Sequence, residues 1–266
     1  MIFRWIVAAL MATLAVLPAL GQGLSEPAPL PVRLINIETG KVSTAGALDT
    51  KVDVRIFGGD EDITYTSLEL RYGFGQRFEG IVRGTAADKK NLLLAGGAGT
   101  IRHGGNDFEL AGKYQLGDSG HLAVLLGVSF PGTPAQSQAV VTLGGALTYP
   151  AGRNLSLYLN PRAAFIDHNT LVGIGFGSSI TLGPHANLIA DWTPIATGDN
   201  TRNTTTGGFR PRSVYGAAVR FSSLARRGTY TLDIGYSSGV GSTTGFSLTP
   251  GLGGSGAFYI ALAVHH

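Results

Sequence analysis

The sequence predicts an all-β fold, a transmembrane antiparallel up-and-down β-barrel of about twelve strands that follows a cleaved signal peptide. Three observations predict it. The stretch from Leu155 to Phe165 alternates apolar and polar residues over the length of a membrane-spanning strand, and similar stretches recur along the chain. The 40 glycines among 266 residues are dispersed between short apolar segments, which favours strands and turns. Mean hydropathy is positive, at +0.18, although no long apolar run follows residue 21, as expected when only alternate residues meet lipid.

The amino terminus has the pattern of an export signal. Arg4 precedes an apolar run from Trp5 to Leu17, and small residues stand before a plausible cleavage site after residue 21. A membrane anchor helix is the alternative, but Pro18 interrupts the run short of the ~20 residues that a span needs. Because the chain has no cysteine, neither a lipid-anchored cysteine nor a disulfide is available. We therefore expect residues 1–21 to be a signal peptide.

The nearly balanced charge of the chain argues against a nucleic-acid partner. Removing residues 1–21 leaves 19 basic and 17 acidic side chains, a formal net charge of +2. A nucleic-acid-binding protein would show clustered Lys and Arg, which this chain lacks. The sequence also lacks a phosphate-binding Gly-Lys-Ser/Thr motif, a Gly-x-Ser-x-Gly motif and a CxxC motif. We expect no nucleic-acid partner and no cofactor.

Two regions follow the signal peptide. Residues 22–45 are proline-rich at first and then show no clean period, so we predict a periplasmic lead-in or a short plug. Residues 46–266 contain the alternating segments and are predicted to form the barrel. The predicted strands are 46–57, 64–74, 77–85, 106–117, 121–130, 138–149, 154–165, 171–182, 185–196, 212–222, 229–237 and 255–265.

The connections between these strands alternate in length. Bacterial barrels have short periplasmic turns and longer outer loops, so the short connections are predicted to be periplasmic and the carboxyl terminus to return to that side. The short connections are 73–76, 117–120, 150–153, 183–184 and 223–228, and the others are 58–63, 86–105, 131–137, 166–170, 197–211 and 238–254.

The charged residues of the strands fall opposite the apolar ones. In the first strand, Leu48, Val52 and Ile56 share one face, because successive side chains of a strand point to opposite sides. The charges either pair across the interior and hold the barrel's shape, or line a narrow pore that selects solutes by charge. Strands five, six and eight have mainly small residues inside, which marks either a solute path or the place where residues 22–45 insert. The predicted lumen-lining residues are Asp49, Lys51, Asp53, Arg55, Glu69, Arg71, Arg77, Glu79, Arg83, Asp107, Glu109, Lys113, Arg162, Asp191, Arg220 and Asp233.

The histidines do not form a metal or catalytic pattern. None shows ligand spacing on a shared face, and no nucleophile, base and orienting group are brought together by strand phase. We therefore predict no catalytic residue and no metal site, with His168 at an outer rim as the position most able to contradict this. The six histidines are His103, His121, His168, His185, His265 and His266.

Aromatic residues cluster near the predicted strand ends. Several share the phase of lipid-facing residues, so we interpret them as interfacial girdles; a sugar-binding slide is the alternative. These residues are Phe74, Phe78, Phe130, Tyr149, Phe165, Trp192, Phe221 and Tyr236.

The whole mature chain resembles bacterial outer-membrane β-barrels of the monomeric, porin-like, roughly twelve-stranded kind. The stretch Phe258 to Val264 is similar to their terminal assembly signal, although those proteins usually end in an aromatic residue and this one ends in His265 and His266. The resemblance implies export through the inner membrane, insertion in the outer membrane, contact with membrane lipid and a monomer. We expect passive passage of a small hydrophilic solute. The alternatives are a non-conducting structural or surface-interaction barrel and a membrane-embedded lipid hydrolase.

Overall fold

The computed structural model of the chain is built from antiparallel strands. The described residues are 33–58, 63–88, 91–93, 100–102, 106–117, 119–130, 139–166, 169–202, 209–225, 228–239 and 256–265. None of these residues belongs to a helix long and apolar enough to cross a membrane. The strands are β1 (Leu48–Phe57), β2 (Ile63–Gly73), β3 (Phe78–Ala87), β4 (Asn91–Leu93), β5 (Thr100–Arg102), β6 (Asn106–Leu116), β7 (Leu122–Phe130), β8 (Val140–Pro150), β9 (Leu155–Ile166), β10 (Asn169–Gly183), β11 (Ala186–Thr193), β12 (Ile195–Thr197), β13 (Thr201–Arg202), β14 (Phe209–Arg210), β15 (Val214–Ala225), β16 (Gly228–Ser237) and β17 (Ala257–His265).

Twelve staves close into one barrel. The order is β1-β2-β3-β6-β7-β8-β9-β10-β11-β15-β16-β17, and β17 pairs with β1. Strands β11 and β12 are two parts of one stave: both pair with β10, and Pro194, which has no N–H to donate, separates them. Hairpins β4–β5 and β13–β14 lie in the connections. The predicted barrel of about twelve strands is confirmed, and each predicted strand matches one stave to within three residues.

The barrel wall has apolar side chains on its outer surface and charged side chains inside, the reverse of the distribution in a water-soluble protein. On β1, Leu48, Val52 and Ile56 are exposed on the outside, whereas Asp53 and Arg55 between them are buried inside. A lipid environment explains this arrangement, since an outward Arg or Lys costs about 2–4 kcal/mol at mid-bilayer. Seven of the eight predicted aromatic residues are exposed near the ends of the staves, and Phe221 is half-buried. The exposed ones are Phe74, Phe78, Phe130, Tyr149, Phe165, Trp192 and Tyr236.

The connections define two rims. We call the end with connections 74–77, 117–121, 151–154, 184–185 and 226–227 the short-turn rim, and the opposite end the long-loop rim. Two connections do not show the predicted difference in length. Strands β9 and β10 are joined at the long-loop rim by residues 167–168 alone, and the connection 58–62 has five residues, as many as 117–121 at the short-turn rim. The other four long-loop connections are longer than every short-turn connection.

The inner wall becomes apolar near the long-loop rim. Phe57, Ile63, Tyr65 and Ala257 form one buried cluster there, in which the rings of Phe57 and Tyr65 meet edge to face at 5.8 Å. A second buried cluster contains Val140, Ala164 and Leu171. Most buried charged residues lie at mid-barrel and toward the short-turn rim, whereas Arg212 is buried at the long-loop rim beside the start of β15.

Candidate functional site in the barrel interior

Residues 33–45, called the inner segment here, lie inside the barrel. The amide of Leu34 donates to the carbonyl of Ile37 at 3.0 Å, and Arg33 and Glu38 form an antiparallel bridge, so the segment makes a tight turn. The side chains of Leu34, Ile35 and Ile37 are fully buried. They pack against five inward-facing residues of four staves: Tyr158, Ile189, Ala218, Tyr259 and Ala261.

Glycines of the wall make room for this turn. A Cβ atom placed on Gly175 would lie 2.7 Å from Cγ2 of Ile37, and one on Gly177 would lie 2.5 Å from Cδ1 of Leu34. Both distances are shorter than ordinary van der Waals contact, so any larger residue would displace the segment. These glycines belong to β10, the eighth stave, whose inner face the sequence predicted to be small.

Asp191 of β11 holds the tip of the turn. Its Oδ2 accepts hydrogen bonds from the amides of Ile35 at 2.9 Å and Asn36 at 2.7 Å, and its Oδ1 accepts from Nδ2 of Asn36 at 2.8 Å. A charged acceptor with three donors forms strong hydrogen bonds in a buried setting. Asp191, predicted to line the lumen, thus binds the inner segment.

Glu38 of the inner segment lies among basic side chains of the wall. Its carboxylate accepts bidentate hydrogen bonds from Arg71, at 2.9 and 2.7 Å, and lies 3.3 Å from Nζ of Lys113 and 3.5 Å from Nη2 of Arg83. Burial alone would raise the pKa of Glu38, but the charges of Arg71 and Lys113 outweigh it and hold that pKa well below its usual range. Glu38 is therefore ionised.

The first wall strands carry charges of alternating sign at matching positions. Strand register places Lys51 opposite Glu69, Glu69 opposite Arg83, and Arg83 opposite Glu109, across β1, β2, β3 and β6. Arg83 donates from Nε to Glu69 at 2.6 Å and from Nη1 to Glu109 at 3.1 Å. Opposite charges at paired positions stabilise neighbouring strands. Arg33 joins this row through Glu69.

A second charged group lies on the other side of the β1–β17 pairing that closes the barrel. Arg220 and Asp233 face each other on β15 and β16 and form two hydrogen bonds of 2.7 Å each. The ring of Tyr259 lies between Lys51 and Arg55, with Nζ of Lys51 5.5 Å and Cζ of Arg55 5.1 Å from its centroid. These distances fit cation–π contacts.

The structure differs from the predicted lumen-lining set at Arg77. This residue is exposed in the turn 74–77, because β3 begins only at Phe78, so its predicted inward position is wrong. Asp107 is half-buried at the second residue of β6, near the long-loop rim. The structure places the remaining predicted residues on the inner face, all of them buried: Asp49, Lys51, Asp53, Arg55, Glu69, Arg71, Glu79, Arg83, Glu109, Lys113, Arg162, Asp191, Arg220 and Asp233.

Four polar residues of the inner segment were missed by the sequence prediction. Arg33, Asn36, Glu38 and Ser43 are buried and bind wall residues. The available signal was polar residues interleaved with a short apolar run, Leu34-Ile35-Asn36-Ile37-Glu38. That run is too short for a period to assign the orientation of its side chains.

A cavity of about 250 Å³ lies beside the inner segment, toward the short-turn rim. Strands β1, β2, β10, β11, β15, β16 and β17 line it from the wall, and Arg33 and residues 41–44 line it from the inner segment. Its charged described lining residues are Arg33, Lys41, Asp49, Lys51, Glu69, Arg71, Arg220 and Asp233, and His265 lies at its edge.

A serine and a histidine meet one carboxylate at this cavity. Oγ of Ser43 lies 2.6 Å from Oδ2 of Asp49, and Nδ1 of His265 lies 3.5 Å from Oδ1 of the same carboxylate. Activation of a serine needs the imidazole between the hydroxyl and the carboxylate. Here the carboxylate lies between the other two groups, so His265 is not placed to take the serine proton.

The other histidines are dispersed. His185 forms a 3.1 Å contact from Nδ1 to the carbonyl of Ser222, and the carbonyl of His121 accepts a hydrogen bond from the amide of Thr148. His103, His168 and His266 lie outside the described residues. Within the described part of the chain, no three His, Asp or Glu residues are grouped so that they could hold a metal ion.

No protein-family model matches the sequence, and no curated protein matches it. Among solved structures, the barrel is similar to the NanC porin, with a TM-score of 0.52 and 9% identity over 82% of this chain and 98% of that one. It is similar to the KdgM porin in complex with disordered oligogalacturonate, with a TM-score of 0.50 and 8% identity over 82% and 98% of the two chains. LpxR from Salmonella typhimurium matches with a TM-score of 0.44 and 9% identity, over 82% and 99%. The two porin matches show that this chain has the fold of outer-membrane porins.

Proposed function

We propose that this chain is an outer-membrane channel that passes a small hydrophilic solute passively, and that its inner segment restricts the path. One observation carries the proposal: a polar cavity with a charged lining lies inside a barrel whose outer surface is apolar. Lumenal charges in such a barrel set which solutes pass. The solute needs no affinity for lipid, since the wall separates it from the membrane.

Three features support location in the outer membrane. The outer surface has exposed apolar side chains at mid-barrel and aromatic rings near both rims, which is the arrangement of outer-membrane barrels. The porin fold is compatible with that location, and the predicted signal peptide agrees with export. The proposal includes contact with membrane lipid, a monomeric barrel and no nucleic-acid partner.

In this structure the inner segment obstructs the interior of the proposed channel. At the level of Glu38, the segment and the side chains that bind it occupy the interior, so conduction requires that residues 33–45 move or that water-filled space beside them be sufficient. The cavity toward the short-turn rim offers space beside the segment, but the apolar clusters of Phe57 and of Val140 lie between it and the long-loop rim.

The position of the inner segment inside the barrel favours a second function, that of a non-conducting structural barrel. A segment held by Asp191 and by the basic cluster around Glu38 could fill the barrel permanently. We propose no chemistry for either form: Ser43, Asp49 and His265 are not arranged for catalysis, and a lipid hydrolase would need such an arrangement.

Conductance of the purified full chain in planar bilayers separates these functions. Discrete and reproducible steps, which heat-unfolded protein does not give, are expected of the channel. Absence of steps from protein that shows the heat-modifiable migration of a folded barrel would favour the structural barrel. Turnover of a lipid ester by the same preparation would favour the hydrolase.

A further inference from the structure

The charges around the cavity are not balanced. Each of its three described carboxylates has a partner: Asp233 binds Arg220, Glu69 binds Arg83, and Asp49 binds Ser43. The two lysines of the lining have no such partner. Among the described residues, neither Lys41 nor Lys51 forms an ion pair.

Lys51 is the stronger indication of a ligand. Only 9% of its surface is exposed, and its Nζ has no hydrogen-bond partner among the described residues. A buried ammonium group with no hydrogen-bond acceptor is costly. The Tyr259 ring at 5.5 Å and the nearby carboxylates of Asp53, Asp233 and Glu69, none of which accepts a hydrogen bond from Nζ, compensate this cost only in part. Such groups call for an explanation, and a bound anion is one.

The cavity offers space for that anion. Lys41, half-buried on the inner segment, lines the cavity together with Lys51 on β1. A volume of about 250 Å³ accommodates a small organic molecule but not an extended polymer. The carboxylates of Glu69 and Asp233 face the same cavity but are paired with Arg83 and Arg220. Asp49 accepts a hydrogen bond from Ser43 and lies 3.5 Å from Nδ1 of His265, so a cation would find all three carboxylates already engaged.

We infer that the cavity binds a small organic carboxylate between Lys51 and Lys41. The inference rests on the proposed function, since it names the chemical class of the solute that the channel passes. Nζ of Lys51 donates to a carboxylate oxygen, and the second lysine adds a positive charge at the cavity edge. Ser43 and the backbone of residues 41–44 bring the inner segment to the same site, so an occupied cavity also contacts the segment.

Equilibrium binding of radiolabelled succinate to the full chain in detergent tests the inference. We expect saturable binding that unlabelled succinate displaces and that succinamide, its uncharged analogue, does not. Replacing Lys51 by Met should weaken binding roughly tenfold or more, because a charge-assisted hydrogen bond is lost. The Lys51→Arg variant should retain most of the binding. Arg153→Met is the matched control, because Arg153 is exposed in the turn 151–154 and its loss should change nothing.

Three outcomes would overturn the inference: no saturable succinate binding, equal displacement by succinamide, or equal loss in the Lys51→Met and Arg153→Met variants. Conductance measured on the same preparations separates this result from the proposed function. Lys51-dependent binding without channel steps would leave the site in place and contradict the channel. Channel steps without Lys51-dependent binding would contradict the site alone.

Discussion

Arg71 and Glu38 form a bidentate ion pair between the barrel wall and the inner segment, with N–O distances of 2.9 and 2.7 Å. Both side chains are buried, at 4% and 6% exposure. Breaking a buried pair by removing one partner leaves an uncompensated charge, which costs about 3–5 kcal/mol. This pair therefore holds the inner segment to the wall in addition to its apolar contacts.

The first prediction is that Glu38 and Arg71 are energetically coupled. Glu38→Gln and Arg71→Met should each lower the free energy of unfolding, and the double variant should cost less than the two singles together, by about 1–3 kcal/mol. Urea unfolding of the barrel in lipid vesicles measures all four proteins. Additive losses would mean that the pair contributes nothing specific.

The pH dependence of stability tests the charge state of Glu38. Its pKa in the folded protein is lowered, because Arg71 and Lys113 overcome the effect of burial. Its contribution is therefore complete above the ordinary carboxyl pKa of about 4.3 and is lost only as pH falls through the lowered folded-state value.

The difference in unfolding temperature between the wild type and Glu38→Gln isolates this group from the other carboxylates. We expect a constant difference from pH 8 to about pH 5 and a smaller one below the ordinary carboxyl pKa. A difference that already shrinks between pH 7 and pH 5 would show that the pKa of Glu38 is raised, against the prediction.

A third prediction concerns the lipid-facing surface. Leu110 is 49% exposed near the middle of β6, and Leu182 is 61% exposed at the end of β10, beside the short-turn rim. Leu110→Arg should reduce stability by about 2–4 kcal/mol, whereas Leu182→Arg should cost about 0–1 kcal/mol, because the cost depends on depth in the bilayer. The fraction of folded, heat-modifiable protein after refolding into vesicles reports the difference. Equal behaviour of the two variants would contradict the assigned membrane depth.

The fourth prediction is that Asp191 retains the tip of the inner segment. Because the chain has no native cysteine, Leu34→Cys supplies a single buried thiol that a water-soluble maleimide reaches only when the tip leaves its site. Asp191→Ala should raise the labelling rate roughly tenfold, and Asp191→Asn, which keeps one acceptor oxygen, should raise it less. Asp88→Ala is the control, because Asp88 is exposed near the long-loop rim. Equal labelling in all variants would mean that Asp191 does not hold the segment.

Much of the wall was predictable from sequence because strand geometry is regular. Once Val52 is assigned to the outside, Asp53 must point inward, and pairing of successive strands then brings Glu69 next to Arg83. The position of Arg77 was predicted wrongly because the alternation was extended to the residue before β3, which begins at Phe78. The phase rule holds only where the backbone is extended.

The inner segment was not predictable in the same way. It makes a tight turn with no repeating pattern, so nothing in Asn36 or Glu38 indicates which wall residue each will contact. Their partners, Asp191 and Arg71, lie 155 and 33 residues further along the chain. Only the tertiary structure brings them together.

A disulfide between the inner segment and the wall tests the need for its movement. A Cβ on Gly175 would lie 2.7 Å from Cγ2 of Ile37, one bond from the Cβ of that residue. The two Cβ atoms are thus close to the roughly 3.5–4.5 Å that a disulfide requires. The pair Ile37→Cys and Gly175→Cys can therefore lock the segment in place, because Ile37→Cys removes the Cγ2 atom that a larger residue at 175 would otherwise contact too closely. The chain has no other cysteine to interfere.

The most direct measurement is the single-channel conductance of this double variant in planar bilayers, oxidised and then reduced with dithiothreitol. The account predicts that the oxidised form is silent or gives steps reduced several-fold, and that reduction restores the steps of the wild type. The single variants Ile37→Cys and Gly175→Cys should respond to neither treatment. Equal conductance of the oxidised and reduced double variant would contradict control by the inner segment, and silence of the folded wild type would contradict the channel itself.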